Sequence, residues 1–299
     1  NRVGYFPSVS AGWNVHQEKW FQNPVMSKLK IRASYGELGA NFLNPYNFDA
    51  IAYGPIPYTV GGERYVTGRA AYLKSKDLKW ETAKTTDIGI ELGFFNNDLT
   101  LSLDYFVKKN VDLLAQIDLN LSSGQIFEIN SSREKPYVNT ASVKNTGWEF
   151  MMNYRKQLTK DFHIDATFNI ATLKNKVLSL GENVQPITSG AMSSYFNDAA
   201  SITMPGEAIG SFYGYKIDGF DAEGNFIFAD TDKNGVVNAN DKVILGSPIP
   251  DFTYGLNINM EYKDFDLTVF FQGVQGNDIF NQKKYTYYFD YSNNVVKEA

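Results

Sequence analysis

Cysteine is absent from the sequence and histidine is scarce, with only His16 and His163. Without cysteine there can be no disulfide scaffold, no thiol nucleophile and no zinc or iron–sulfur site built on thiolates. Two isolated histidines cannot form a multi-histidine metal centre, and no strained nucleophile turn accompanies them to suggest a Ser–His–Asp triad. We therefore expect no enzymatic activity.

An excess of basic charge is also missing, because 28 lysines and arginines are outnumbered by 33 aspartates and glutamates. A protein that binds nucleic acid usually presents a basic patch or stripe, so we expect no nucleic-acid partner. The sequence has no stretch of about 18 apolar residues, which excludes a membrane-spanning helix. Membrane-spanning strands stay open, because their apolar residues alternate with polar ones and leave only a weak signal.

Alternation with a period of two is the dominant pattern, and this spacing sends successive side chains to opposite faces of a β-strand. Leu99, Leu101 and Leu103, for example, alternate with Thr100 and Ser102. The same alternation begins near residues 9, 29, 88, 148, 162, 252 and 265. Long stretches with a helical period are missing, so the pattern predicts an all-β, antiparallel fold.

Short and long connections alternate between these predicted strands. The short ones are residues 96–98, 155–161 and 263–264, and the long ones are residues 36–86, 110–145, 172–251 and the tail from 273. The short connections are rich in the Asn, Asp and Lys of tight turns. This alternation is typical of an outer-membrane barrel, which has tight periplasmic turns and long external loops.

Aromatic residues flank the short turns. They are Phe94, Tyr154, Phe162, Tyr262 and Phe265. Such rings form girdles at the lipid–water boundary of membrane barrels, so we interpret the sequence as a partial antiparallel transmembrane β-barrel. Strands rich in aromatic residues also build soluble β-sandwiches, which stay open as the alternative on pattern alone.

The three short turns constrain the topology. If all three lie on one side of the membrane, an even number of crossings must separate successive turns. A single extra crossing between residues 170 and 252 would reverse the last hairpin. We therefore expect the strand-like stretch 209–217 to belong to an extracellular elaboration of about residues 172–251, and not to the barrel wall.

The alternation also predicts which side chains face lipid and which face the lumen. We expect lipid contact for Leu101, Leu103, Ile164, Phe168, Leu256, Ile258, Leu267 and Val269. We expect the lumen to receive Glu91, Asp104, Glu149, Asp165 and Glu261, together with His163. Carboxylates stay hydrated in a lumen, whereas charges on the lipid face destabilise a barrel.

One motif has the spacing of a metal-binding loop. Oxygen-bearing side chains stand at loop positions 1, 3, 5, 9 and 12 with glycine at position 6, as in the calcium loop of an EF-hand. The candidate ligands are Asp230, Asp232, Asn234, Asn238 and Asp241, together with the backbone carbonyl of Val236 at position 7. We expect a structural Ca²⁺ ion here. Position 12 is Asp where an EF-hand has Glu, and no flanking helices are evident, so a solvated polar turn is the alternative.

A group of aromatic residues lies just before this motif and beside several glycines. Its members are Phe212, Tyr213, Tyr215 and Phe220. We expect these rings to pack in a core or loop, and stacking against a sugar is the alternative. No residue can be assigned to substrate binding from the sequence.

Several sequence blocks, in this order, carry a family resemblance. They are FPSVSAGW (6–13), LKIRASYG (29–36), LKWETAKTTDIGIE (78–91), LSLDYFVKKN (101–110), NTGWEF (145–150), GSFYGY (210–215) and GSPIPDFTYG (246–255). Together they cover nearly the whole chain, which resembles the starch-utilisation SusC/RagA family of TonB-linked outer-membrane transporters.

The resemblance implies a segment of a 22-stranded barrel that holds a plug domain and lies in the cell outer membrane. It also implies energy-coupled import of large nutrients, either oligosaccharides or peptides, together with a SusD-like surface lipoprotein. Residues 1–299 would be a partial TonB-dependent receptor barrel domain from the later middle of such a protein. The plug, the terminal strands and the N-terminal regions that contact the TonB complex would be absent.

A second function remains open at this point. The chain could be a soluble, calcium-stabilised, β-rich surface protein that binds glycans without transporting them. The two interpretations differ in their contact with outer-membrane lipid, because a barrel segment partitions into membranes and a sandwich does not.

Overall fold

The computed structural model describes residues 3–40, 52–70, 78–116, 137–181, 184–191 and 199–283. Its strands are β1 (Ser8–Asn14), β2 (Met26–Ala40), β3 (Ala52–Val60), β4 (Glu63–Ala70), β5 (Glu81–Phe94), β6 (Leu99–Gln116), β7 (Tyr137–Thr159), β8 (Phe162–Thr172), β9 (Lys174–Ser179), β10 (Ile187–Ala191), β11 (Ala199–Thr203), β12 (Ser211–Tyr215), β13 (Ile217–Phe220), β14 (Phe226–Phe228), β15 (Lys242–Gly246), β16 (Phe252–Tyr262) and β17 (Phe265–Gln275). Within the described ranges, no helix is long and apolar enough to cross a membrane.

A nine-stranded antiparallel sheet forms the main wall. Its order is β1-β2-β5-β6-β7-β8-β16-β17, and β9 pairs with β7. Among the described strands, β1 and β17 form the two edges and do not pair with each other, so the wall is an open segment of a barrel. The predicted all-β, antiparallel fold is confirmed.

The register separates the two faces of the wall as the alternation predicts. Leu101 lies opposite Met152, which lies opposite Phe168. Phe168 in turn lies opposite Leu256. Residues that are directly paired share one face of a sheet. By the same register, all eight residues predicted to face lipid lie on one side, and the five predicted lumenal carboxylates lie on the other.

The short turns connect neighbouring strands of the wall. Residues 95–98 join β5 to β6 and residues 263–264 join β16 to β17, as the sequence predicts. The predicted turn over residues 155–159, however, is wrong, because β7 continues to Thr159 and only residues 160–161 lie outside the strands. Arg155 pairs with Asp165 in the register, and its guanidinium lies 2.6 Å from that carboxylate. β7 and β8 thus stay paired through a stretch whose polar composition is typical of a turn, as far as Thr159 opposite Phe162.

β8 and β9 form one crossing with a single break at Leu173. Both strands keep the same register against β7, since Ile170 lies opposite Phe150 and Lys174 lies opposite Thr146. At the break, the Leu173 N–H donates a hydrogen bond of 3.0 Å to the carbonyl of Asp251. β16 starts at the next residue, so it begins beside the break, while β9 continues the wall to Ser179.

The expected long connections contain more strands than their sequence suggests. Within residues 172–251 the sequence predicts one strand-like stretch, 209–217, yet the segment contains strands β9 to β15. Residues 36–86 contain the β3–β4 hairpin, and the remainder of that connection and of 110–145 lies partly outside the described residues. These strands are only three to nine residues long. Short strands carry too few alternating positions to be recognised from sequence.

The stretch 209–217 lies outside the wall. β12 pairs with β11 and β15 in a four-stranded sheet ordered β10-β11-β12-β15, and β13 and β14 form a separate hairpin. The strand that begins at Phe162 pairs instead with β7 and β16. A small buried cluster of Ala141, Val143, Val177 and Leu180 lies where β7 and β9 pair, at the end of the wall away from the short turns.

Candidate functional site

The predicted calcium loop follows the β13–β14 hairpin and ends in a single 3₁₀ turn, Ala239–Asp241, before β15. Gly235 has φ of 87°, a left-handed conformation that glycine adopts without steric strain. This glycine permits the sharp bend in the middle of the loop. The bend brings the first half of the loop back toward its last residue.

Asp241 closes the loop and is fully buried. Its Oδ1 accepts a hydrogen bond of 2.7 Å from the Thr231 N–H, and its Oδ2 accepts one of 2.8 Å from the Asn238 N–H. These bonds lower the pKa of the Asp241 carboxyl below its ordinary value because they stabilise the ionised form, and the bond from the Asn238 N–H has the largest effect. The carboxylate therefore stays charged at neutral pH and ties the start of the loop to its end.

Asp230 and Asp232 occupy the first half of the loop. Asp230 Oδ2 accepts a hydrogen bond of 2.7 Å from the Gly235 N–H, and Asp232 Oδ2 accepts one of 2.9 Å from Asn234 Nδ2. One carboxylate oxygen each from Asp230, Asp232 and Asp241 lies within 4.8 Å of the others. Calcium–oxygen distances of about 2.3–2.6 Å allow two ligand oxygens to be up to about 5 Å apart, so this spacing fits a shared Ca²⁺ ion.

The remaining candidate ligands lie in the same loop. Asn234 Oδ1 accepts a hydrogen bond of 2.8 Å from the Val236 N–H, and the Val236 carbonyl accepts one of 3.1 Å from Asn238 Nδ2. Asn238 Oδ1 accepts one of 2.9 Å from the Asn240 N–H, which caps the 3₁₀ turn. The structure thus brings the three carboxylates together, while the oxygens of Asn234, Val236 and Asn238 take part in hydrogen bonds within the loop.

A second charged group lies on the lumenal face of the wall; the sequence predicts that Glu91 and Asp104 face the lumen but does not predict their contacts with Arg32. The Arg32 guanidinium contacts Asp87 at 3.1 Å and Glu91 at 3.5 Å, and it also forms an ion pair with Asp104. Asp104 is only 7% exposed. The available signal was that all of these residues lie at polar positions of the alternation on β2, β5 and β6. Their register relative to one another could not be read from the sequence.

The aromatic residues near the loop fall into two groups: Tyr215 and Phe220 are joined through Phe226 and Phe228, whose ring centroids lie 6.2 Å apart, and Phe212 belongs to a separate pair. Phe212 packs against Phe280, with ring centroids 6.4 Å apart. Tyr215 packs against Phe228, with centroids 5.5 Å apart. Phe220 contacts Phe226 across the β13–β14 hairpin at 5.4 Å. His163, by contrast, lies on the polar face of β8 as predicted, opposite Glu261.

The family model described as TonB dependent receptor-like, beta-barrel, matches residues 1–298 of this chain. The chain belongs to the TonB-dependent receptor family. This membership confirms the predicted location in the outer membrane, and we therefore do not retain the alternative of a soluble glycan-binding protein.

Two relatives show where the chain lies in the family. The TonB-dependent receptor P3 of Formosa agariphila is 34% identical over 94% of this chain and 29% of its own length. The TonB-dependent receptor SusC of Bacteroides thetaiotaomicron is 31% identical over 90% of this chain and 27% of its own length. The chain therefore spans less than a third of these relatives, both of which are named as TonB-dependent receptors. The predicted SusC/RagA resemblance and the expected absence of enzymatic activity are both confirmed.

Solved structures show the same fold. The RagAB peptide importer in its open-open state superposes with a TM-score of 0.76 at 22% identity, over 96% of this chain and 30% of that chain. The RagAB peptide transporter superposes with a TM-score of 0.71 at 21% identity, over 94% of this chain. The nine-stranded wall is thus a segment of a TonB-dependent receptor barrel.

Proposed function

We propose that the chain forms part of the wall of an energy-coupled outer-membrane importer of large nutrients, either oligosaccharides or peptides. The observation that carries this proposal is the match of the chain to the TonB-dependent receptor barrel family over residues 1–298. The wall itself supports it, because one face is apolar and the other holds carboxylates in register, as a membrane barrel with a polar lumen requires.

The proposed importer works with a SusD-like surface lipoprotein and draws energy through the TonB complex. Support for both partners comes from the similarity to SusC and to RagAB, whose structures are of a peptide importer. TonB would act through regions other than the described wall.

Deletion of the gene tests the transport function. Mutant cells should lose growth on one class of large nutrient, supplied as purified oligosaccharides or as peptides, and keep growth on the corresponding monomers. A plasmid copy of the gene should restore growth. Unchanged growth on every oligosaccharide and peptide that supports the parent would contradict the proposal.

Affinity purification tests the partnership. The detergent-extracted receptor should retain a lipoprotein of the SusD type at about one copy per receptor. Retention of TonB is tested separately, by crosslinking in cells.

We also propose that the loop of residues 230–241 binds one structural Ca²⁺ ion through Asp230, Asp232, Asn234, Val236, Asn238 and Asp241. The spacing of the three carboxylates within 4.8 Å supports this proposal. Three negative charges this close repel one another, and a divalent cation would offset that repulsion. The ion would hold the loop in one conformation and would take no part in chemistry.

A further inference from the structure

A row of lysines crosses the outward face of the wall, at the end of the strands away from the short turns. Lys84 on β5 lies opposite Lys109 on β6. Lys109 lies opposite Lys144 on β7, and Lys144 lies opposite Lys176 on β9. Lys174 lies on the same face, two residues before Lys176. We call these five residues the lysine row.

The register places the lysine row on the same side as the lipid-facing residues. Between Leu99 and Lys109 the pairing of β6 with β5 and with β7 has no shift, so alternate residues keep their face. On the same face of β6, Val107 precedes Lys109 and Tyr105 precedes Val107. The ring of Tyr105 lies 4.8 Å from the ring of Trp148. The lysines therefore begin where the apolar and aromatic positions of the outward face end.

Among the described residues, the lysine row has one ion pair with an acidic side chain, at Lys84, which also lies within electrostatic range of Asp112. Lys84 pairs with Glu37 at 3.1 Å. Within the described ranges, no residue forms an ion pair with Lys109, Lys144, Lys174 or Lys176. Like charges directly opposite each other in a sheet are destabilising. Three successive Lys–Lys pairs therefore favour the binding of anions at this face.

The depth of the lysine row in the membrane indicates which anions it meets. The short turns of outer-membrane barrels are periplasmic, so the opposite end of the strands lies at the outer leaflet. Tyr and Trp rings mark the lipid–water boundary, and charged groups just beyond them lie at headgroup level. Strand tilt displaces neighbours in the row by about 3 Å in height, and flexible lysine stems can span this difference.

We propose that the lysine row binds the phosphate groups of the phosphorylated glycolipid that forms the outer leaflet. Phosphates at headgroup level provide the negative charge that the row lacks, and several lysines can share one phosphate because each ammonium is a compact point charge. Bound glycolipid would hold this part of the wall at a fixed depth in the membrane. The inference extends beyond nutrient import and does not depend on the identity of the nutrient.

The test compares two triple variants of the complete receptor in detergent with EDTA present. The test variant is Lys109→Gln, Lys144→Gln and Lys176→Gln. The control variant is Lys108→Gln, Lys160→Gln and Lys263→Gln, which removes the same charge from the lumenal face of β6 and from the short turns. The probe is diphosphorylated lipid A, and the same lipid with both phosphates removed is the reference.

The expected result is that the parent and the control bind diphosphorylated lipid A equally, and that the test variant binds it at least about tenfold more weakly, because three charges are removed from the face that meets the anionic headgroups. Lipid without phosphate should bind all three proteins alike. An Arg version of the test variant should restore binding. Equal binding by test and control variants would overturn the proposal, and so would equal stabilisation of the parent by inorganic phosphate, since the site would then accept a free anion.

Folding is measured separately for each variant. In lipid without phosphate the test variant should be at least as heat-stable as the parent, because the repulsion between the lysines is removed. Addition of diphosphorylated lipid A should raise the melting temperature of the parent and leave that of the test variant unchanged. A test variant that is less stable than the parent in lipid without phosphate would show that the lysines stabilise the wall directly, and this would contradict the proposal.

Discussion

Gly89 on β5 lies directly opposite Asp104 on β6, and a Cβ atom at residue 89 would lie 1.9 Å from Asp104 Oδ1 and 2.9 Å from Arg32 Nε. Asp104 cannot move away cheaply, because it is buried and bound to Arg32 and to the Ser102 hydroxyl at 2.9 Å. The absence of a side chain at residue 89 is therefore what allows the lumenal ion pairs to form.

We predict that Gly89→Ala lowers the stability of the barrel by about 1–3 kcal/mol, the usual range for overpacking a filled site. The measurement is the fraction of heat-resistant, folded protein on unboiled gels as temperature rises. Gly219→Ala is the matched control, because a Cβ there meets nothing within 4 Å. If both variants unfold with the parent, the lumenal network adapts freely to the added methyl group.

We predict that Phe168→Arg prevents assembly and that Thr167→Arg is tolerated. The two residues are adjacent on β8, but Phe168 lies between Met152 and Leu256 on the apolar face. Arg on the lipid face at mid-depth costs about 2–4 kcal/mol, and near the interface it costs about 0–1 kcal/mol. Ile164 is only two residues from the start of β8 at Phe162, so Arg there should be milder. Outer-membrane abundance of each variant is the measurement, and equal loss for Phe168 and Thr167 would contradict the assigned faces.

We predict that acid loosens the loop of residues 230–241. The pKa of Asp241 is lowered in the folded protein, chiefly by the Asn238 N–H. Its ionised form therefore stabilises the loop at neutral pH, and this contribution is lost as the pH falls below about 4 through the lowered pKa.

Limited proteolysis between pH 7 and pH 3 with an acid-tolerant protease measures this change. Cleavage within the loop should rise at the acid end, and Asp241→Asn should be cleaved already at neutral pH. Asp221→Asn serves as the control, because Asp221 closes a different turn by accepting the Asn225 N–H at 2.7 Å. A loop of Asp241→Asn that resists protease at pH 7 as well as the parent does would show that the carboxylate does not hold it.

We predict that millimolar Ca²⁺ protects the same loop from protease at neutral pH. The expected dissociation constant is about 10⁻⁴ to 10⁻³ M, the range of extracellular modules, because Asp at position 12 reaches less far than Glu. Asp230→Asn and Asp232→Asn should weaken protection at least about tenfold, since each removes a formal charge but keeps an oxygen. Asp221→Asn should leave it unchanged. Equal cleavage with and without Ca²⁺ would show that the loop is a polar turn that does not bind the ion.

The strands of the wall and its two faces could be predicted from sequence because each strand is long and has one face in an apolar environment and the other in a polar one. Leu101, Leu103 and their partners repeat often enough for a period of two to be recognised. The residue types of the short turns also allowed these turns to be predicted. Lys263, Asn96 and Asn97 adopt positive φ values of 54°, 58° and 68°, respectively. Such conformations are typical of tight hairpins.

What the sequence could not provide was register between strands distant in sequence. Arg32 and Asp104 are 72 residues apart, and their contact depends on the pairing of β2, β5 and β6. The position of Lys109 and Lys176 in one row likewise depends on strand pairing, and neither residue belongs to a sequence motif. The calcium-loop motif was recognisable because all six residues lie within one short stretch. The burial of Asp241 could not be predicted, because it depends on how the loop folds onto Thr231 and Asn238.

The connection between β9 and β16 has an evolutionary consequence. β9 belongs to the wall as far as Ser179, so the stretch 180–250 joins the end of β9 to the start of β16 as a single insertion. Insertions of this kind are tolerated because the surrounding fold does not depend on their length. We therefore expect relatives to differ in the length of this stretch, while the order of the wall strands stays the same.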